Sequence, residues 1–311
     1  SVLSPLDNAS NVGVRTNLAI TFSEAVSAGT GNIEIRKSSD NSLVESIDVT
    51  TGQVTFSGTT ATVNPAANLD LGTEFYVLVP ATAFKDAADN YFAGISATTA
   101  WSFTTVATEP VLTINEIDAD QTGTPDSAEF IEIYDGGVGN TPLDGYVLVL
   151  YNGSNDQSYL AMDLDGKSTD ANGFFVAGNS AVTAATQVFT NDTLQNGADA
   201  VALYYGNGSD YPTGTAPTTT NLIDAVVYET SDADDTGLLA ALGQSVQYNE
   251  DQGGTGTTFS VSRTPDGSAT IATALPTPGA PNHTAPVVTT LSPLDNASGV
   301  AALLALARAA A

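Results

Sequence analysis

The chain has 311 residues and 42% hydrophobic content, enough for buried cores, which excludes a disordered acidic tail. Seven Lys and Arg face 35 Asp and Glu, a formal net charge of -28, and such a surface repels phosphate backbones, so direct nucleic-acid binding is not expected. Cysteine is absent, which excludes disulfides, thiolate metal sites and cysteine nucleophiles. The length suits two domains. Few lysines among many Thr, Ser, Asn, Asp and Gly point to an extracellular bacterial module. Ser1 opens directly on turn residues, so no signal peptide is visible, as in a mature or excised form. The terminal run "VAALLALARAAA" is too short to cross a bilayer and carries Arg308, so no membrane span is expected.

In chain order, "NLAITFS" alternates Leu18, Ile20 and Phe22 with polar or small neighbours, and "NIEIRK" does the same with Ile33 and Ile35. "QVTFSGTTATVNP" reads as a hairpin turning at Ser57 and Gly58, and "EFYVLVP" alternates Phe75, Val77 and Val79. Period-two patterning between Gly, Asn and Pro predicts half-buried antiparallel strands and, over about a hundred residues, a β-sandwich. Trp101 and Phe103 alternate on the last strand as core residues. Asp86, Asp89 and Asn90 share a loop, either as an Asx turn or as oxygen ligands for Ca²⁺.

The succession "SPLDNASNVGVRTNLAITFSEAV", "GNIEIRK", "LDLGTEFYVLVPATAFKDAADNYFAG" and "TAWSFTT" resembles the bacterial Ig-like domain of S-layer proteins and surface adhesins, over residues 1–105. The resemblance implies a seven-stranded sandwich used as a spacer, without a catalytic site.

After a linker at 106–110, "LTINEID", "SAEFIEIYD", "GYVLVLYNG", "GFFVAGN", "ADAVALYYG" and "NLIDAVVYE" are further short strand runs, with one helical stretch at "DTGLLAALGQ". Together with "SVSRTPDG" and "PTPGAPN" they resemble the lamin-tail domain in its bacterial extracellular form, over residues 111–283. This implies a second Ig-like sandwich, so the expected fold is all-β, two Ig-like antiparallel sandwiches in series. The domain keeps company with secreted nucleases, phosphatases and surface proteins.

Candidate chemistry in this half is carboxylate chemistry. Glu116, Asp118, Asp120, Asp126, Glu129 and Glu132 fall in one stretch, mostly read as solvated loops where water keeps carboxylates ionised, with Glu129 and Glu132 on a strand whose pattern the resemblance makes structural, and catalysis is not expected. Asp163, Asp165 and Asp170 surround a Gly turn in "DLDGKSTD", a partial cage of hard oxygens for Ca²⁺ or a hydrogen-bonded turn. His283 is the sole histidine, so neither a histidine zinc site nor a Ser-His-Asp triad is expected. Arg263 is expected to pair with a nearby carboxylate. Tyr204, Tyr205, Tyr211 and Tyr228 divide between a sugar-stacking face and core positions.

The octapeptide "LSPLDNAS" occurs at 3–10 and again at 291–298, so residues 284–311 read as the start of a second Ig-like repeat with an Ala-rich end. "TAPVVTT" before the second copy has strand character. Ala285, Pro286, Val287, Val288 and Leu291 are candidates to donate a strand to a neighbouring copy, giving a head-to-tail fibre. The expected function is a non-catalytic extracellular structural module of a bacterial surface layer, adhesin or matrix fibre. Its expected partners are copies of itself, neighbouring repeats, and the cell surface or matrix. The alternative is an accessory region of a larger secreted nuclease or phosphatase.

Overall fold

A computed structural model describes residues 1–252, 254 and 256–282; the strand-donor segment 285–291, the second octapeptide and His283 lie outside the described residues. In the first half the chain forms β1 (Val2–Ser4), β2 (Ala9–Val12), β3 (Leu18–Thr21), β4 (Ser27–Ala28), β5 (Asn32–Lys37) and β6 (Leu43–Asp48). Then follow β7 (Val54–Ser57), β8 (Thr60–Val63), β9 (Glu74–Leu78), β10 (Phe84–Lys85) and β11 (Ser102–Thr105). One sheet has the order β1-β3-β8-β7 and the other β2-β11-β9-β5-β6, with β4 and β10 as a separate ribbon. The two sheets hold nine strands where the resemblance implies seven, and the β4–β10 ribbon is additional.

Alternation places Leu18, Ile20, Ile33, Ile35, Phe75 and Val77 between the sheets. Gly58 takes a positive φ of 57° at the β7–β8 turn, a conformation that costs glycine least. Trp101 is fully buried and its Nε1–H donates to the Pro5 carbonyl at 2.9 Å. Asp7 accepts the Ser102 N–H at 2.9 Å, and the Asn8 N–H donates to the Ser102 carbonyl at 2.7 Å. The octapeptide therefore ties the entry of this sandwich to its last strand.

The second half forms β12 (Thr113–Asp118), β13 (Phe130–Tyr134), β14 (Tyr146–Asn152), β15 (Gln157–Asp163), β16 (Phe174–Gly178) and β17 (Gln187–Val188). It continues through β18 (Asp199–Tyr205), β19 (Leu222–Glu229), α1 (Thr236–Ala241), β20 (Gln247–Asn249), β21 (Ser260–Arg263) and β22 (Ile271–Ala274). Its sheets have the orders β17-β16-β13-β12-β21-β22 and β15-β14-β18-β19-β20, and among the described residues no strand of one half pairs into a sheet of the other.

The unbroken run Val147–Tyr151 in β14 is buried on both faces. Leu148 and Leu150 enter the inter-sheet core, while Val147, Val149 and Tyr151 pack outward with Tyr204, Tyr211, Leu238 and Leu242. A strand covered on both sides loses its polar alternation. The outer cover includes α1, whose first turn is capped by Asp235 Oδ1 accepting from Gly237 and Leu238 N–H at 2.8 and 2.9 Å.

Pairing is antiparallel except at β2–β11, β16–β17 and β19–β20, each of which lies at a sheet edge. Among the described residues no helix is long and apolar enough to cross a membrane.

Candidate functional site: the joint between the sandwiches

Side chains from both halves meet where the loop after β2 faces the start of β14 and the end of β18. Arg15 Nη1 lies 2.9 Å from each carboxylate oxygen of Glu109, in the segment joining the halves. Its guanidinium carbon sits 3.5 Å above the ring centroid of Tyr205, and Tyr205 packs on Tyr146 at 5.2 Å. A planar, weakly hydrated guanidinium suits both contacts at once, and the two together are worth about 1–3 kcal/mol. Gly145 admits this approach: its φ is +74°, and a Cβ there would stand 2.4 Å from Arg15 Cβ.

Two residues on, Asn17 Nδ2 donates across the joint to Asp165 Oδ2 at 2.9 Å and to Asn207 Oδ1 at 2.7 Å. Asp165 Oδ1 accepts the Gly145 N–H at 2.7 Å. Burial raises the Asp165 carboxyl, the Gly145 N–H lowers it, and the charge of Asp163 raises it again. Asp163 in turn accepts from the backbone N–H of Asp165 at 3.0 Å and of Gly208 at 2.8 Å. Asp163 and Asp165 thus organise the second sandwich's side of the joint.

Asp170 does not join them. Its Oδ1 accepts from the N–H of Asn172 and Phe174 at 2.8 and 2.9 Å, closing the turn into β16. Among the described residues no three His, Cys, Asp or Glu side chains stand together as a metal cluster, so the cage drawn from Asp163, Asp165 and Asp170 is not assembled. These carboxylates accept from backbone N–H groups and, at Asp165 Oδ2, from the Asn17 amide instead. In the first sandwich Asp86 accepts from Ala88 N, Asn90 N and Asn90 Nδ2, while Asp89 pairs with Lys85 at 2.7 Å. Asp86, Asp89 and Asn90 therefore form a turn stapled by a lysine.

The reading of Glu116 and Asp118 as solvated loop carboxylates needs correction, while Glu129 and Glu132 stand at a strand as expected. Glu116, Asp118, Glu129 and Glu132 are all buried, and so is Glu250. β12 and β13 place Glu116 and Glu132 opposite each other inside the polar seam along the six-stranded sheet. Glu116 accepts from the Ser260 hydroxyl and from Thr277 N and Oγ1, and Glu132 from Asn115 Nδ2 and Gly279 N. Glu129 holds Thr193 N and Leu194 N, and Glu250 holds Ala119 N. Burial raises Glu116 to about 7, Glu129 to about 7 and Glu132 to about 8, against the hydrogen bonds that favour the ionised form. Asp118 and Glu250 are also raised by burial and are hydrogen-bonded to each other, so the pair retains a proton. These carboxyls serve as acceptors for buried backbone N–H groups that no ladder reaches.

The tyrosines divide in favour of the core. Tyr204, Tyr211 and Tyr228 are buried, and Tyr205 is covered by Arg15. Arg263 pairs with Asp224 at 2.9 Å and also donates to the carbonyls of Ile114 and Ser268. Arg15, Asn17, Glu109 and Tyr205 were not legible as a joint from the sequence; the scarcity of arginine was the one available signal.

No curated protein matches the chain. Among solved structures, the N-terminal part of the bacterial S-layer protein SbsC is 18% identical at a TM-score of 0.30, covering 66% of this chain and 41% of that one. The S-layer protein rSbsC(31-844) is 16% identical at 0.27, covering 64% and 39%. The BSP domain of a biofilm associated protein is 13% identical at 0.19, covering 67% and 27%. The chain therefore spans less than half the length of each. Residues 1–105, the stretch closed by Trp101 and the octapeptide, match the family model of the bacterial Ig-like domain.

Proposed function

We propose that the chain is a non-catalytic structural module of a bacterial cell surface or extracellular matrix, acting as a stiff spacer of two sandwiches. The observation that carries this reading is the joint. Arg15 engages Glu109 and Tyr205 while Asn17 bridges to Asp165 and Asn207, so the linker is braced from both sides. The bacterial Ig-like match over residues 1–105 supports a surface setting. The high negative charge keeps such a module hydrated and soluble. Arg15→Ala tests the reading by small-angle X-ray scattering. The native chain is expected to scatter as one elongated body and the variant as a distribution of interdomain angles. Equally broad profiles for both would overturn it.

The second sandwich is read as lamin-tail-like. What supports this is the meeting of its separate motifs in one network: Glu116 of "INEID", Glu132 of "EFIEI", Asp266 of "SVSRTPDG", and Thr277, Gly279 and Asn282 of "PTPGAPN". Assembly between copies is the finer part of the proposal. β1 is a three-residue edge strand with Val2 exposed, which leaves an edge for an added strand. Deleting 284–311 is expected to abolish filaments on electron micrographs; filaments that persist remove this part.

A further inference from the structure

β14 and β18 run from the joint, where Tyr146 is paired with Tyr205, to the opposite pole, where Asn152 is paired with Asp199. At that pole a pocket opens between the turn after β14, the segment before β18 and the 231–235 loop "SDADD". Asp199, Asp232, Asp234 and Asp235 line it. Its floor is Asp199, only 2% exposed. Asp199 Oδ1 accepts the Gly153 N–H at 2.8 Å and the Gly197 N–H also favours the charged carboxylate, whereas Oδ2 is buried with no hydrogen bond of good geometry. Glu229 at the end of β19 is 5% exposed, and its Oε2 is likewise unpartnered. The charges of Asp232 and Asp235 bear on Asp199, and those of Asp232 and Asp234 on Glu229.

No cation among the described residues answers this charge. The six described basic residues are engaged elsewhere: Arg15 with Glu109, Arg36 with Glu34, Lys37 with Asp70, Lys85 with Asp89, Arg263 with Asp224, and Lys167 with the Thr186 carbonyl. Breaking a buried pair, or never forming one, leaves an uncompensated carboxylate that costs several kcal/mol. Burial pushes Asp199 up to about 6, which still leaves it mostly ionised at neutral pH.

We propose that this polar pocket is a Ca²⁺ site, with Asp199 Oδ2 as the inner ligand and Asp232 and Asp234 closing over the ion from the 231–235 loop. The donors are hard oxygens, and the lining offers no aromatic face for an organic cation and no imidazole or thiolate for a transition metal. Ca²⁺ tolerates irregular shells of six to eight oxygens, whereas Mg²⁺ demands a tight octahedron. As the loop stands, no three carboxylates among the described residues meet at one point. Binding therefore requires Asp232 and Asp234 to turn toward Asp199, while Gln247 holds the base of the loop by accepting from Asp235 N and donating to the Ala233 carbonyl.

The test is calorimetric titration of CaCl₂ into the metal-free full chain, with Asp199→Asn, Asp232→Asn and, as a control, Asp170→Asn. Asp199→Asn retains an acceptor for Gly153 N–H, and Asp232→Asn changes an exposed side chain, so a folded variant is available in either case. The native chain is expected to bind with Kd on the order of 10⁻⁴–10⁻³ M or tighter. Asp199→Asn and Asp232→Asn should each weaken binding roughly tenfold, and Asp170→Asn should leave it unchanged. No binding heat at millimolar Ca²⁺, or binding indifferent to both pocket substitutions, overturns the site. Equal affinity for Mg²⁺ overturns the choice of ion.

Discussion

In the first sandwich the buried polar residues among those described are Thr16, Ser102 and Thr105, and the interior is otherwise Leu, Ile, Val, Phe, Ala, Tyr76 and one Trp. In the second, Glu116, Asp118, Glu129, Glu132, Asp135, Asp199, Glu229 and Glu250 are all buried, and every buried carboxylate among the described residues belongs to this half. The two halves share layered β architecture but satisfy their backbones differently. The first does so with hydrogen-bonded ladders and a short latch of the octapeptide on Ser102. The second has long irregular returns, such as 190–198 and 275–282, whose N–H groups end on carboxyl oxygens. High acidity in this chain is therefore partly an interior property. The price is paid in desolvation of charge.

The largest expected effect falls on the apolar half. Trp101→Ala should cost the first sandwich about 3–5 kcal/mol, since it opens a large cavity and frees the Pro5 carbonyl. Differential scanning calorimetry should show that transition falling while the other holds. If both fall together, the halves are one cooperative unit and the comparison fails.

Proton linkage separates the halves next. Glu116 and Glu132, with ordinary values of 4.5, stand at about 7 and about 8 in the folded state because burial disfavours their charge. The folded state then binds more protons than the unfolded one, so this contribution is complete below about pH 4.5 and is lost as pH rises through 7 and 8. Each extra bound proton gives a slope of about 1.4 kcal/mol per pH unit. The first sandwich has the opposite pattern: Asp40, Asp48 and Asp86 are exposed and lowered by local hydrogen bonds, so their small contributions fade only in acid. Between pH 5 and pH 8, urea melts should thus show the second sandwich weakening and the first level. Glu132→Gln removes one of these two titrating carboxyls, which should flatten that slope by about 1.4 kcal/mol per pH unit. An unchanged slope would assign the linkage to other groups.

Strands with alternation, such as β3 and β5, were legible in the sequence because one face of each meets the core and the other lies toward the surface. The helix at "DTGLLAALGQ" was legible from its apolar spacing, whereas its Asp235 cap came from the structure. The buried role of Glu116 and Glu132 was not, because a glutamate in a strand has the same letter whether its head meets water or a distant N–H. Thr277 and Gly279 lie about 150 residues away from them, and only the fold brings these groups together. The same holds for Arg15 and Tyr205. The acidic loops were legible as acidic, but the distinction between Asp163, locked by backbone N–H groups, and Asp199, with one oxygen left over, is geometric.

The parallel pairing of β2 with β11 has a mechanical consequence. Ala9 aligns with Phe103 and Val12 with Thr105, so the N-terminal end of one strand and the C-terminal end of the other point in opposite directions along the ladder. Tension on the two ends of residues 1–105 slides these strands past each other, loading their hydrogen bonds together and not one after another. Trp101 and the Asp7–Ser102 contact flank that shear plane. A pull along the chain axis thus meets its resistance at the residues that begin and end the fold.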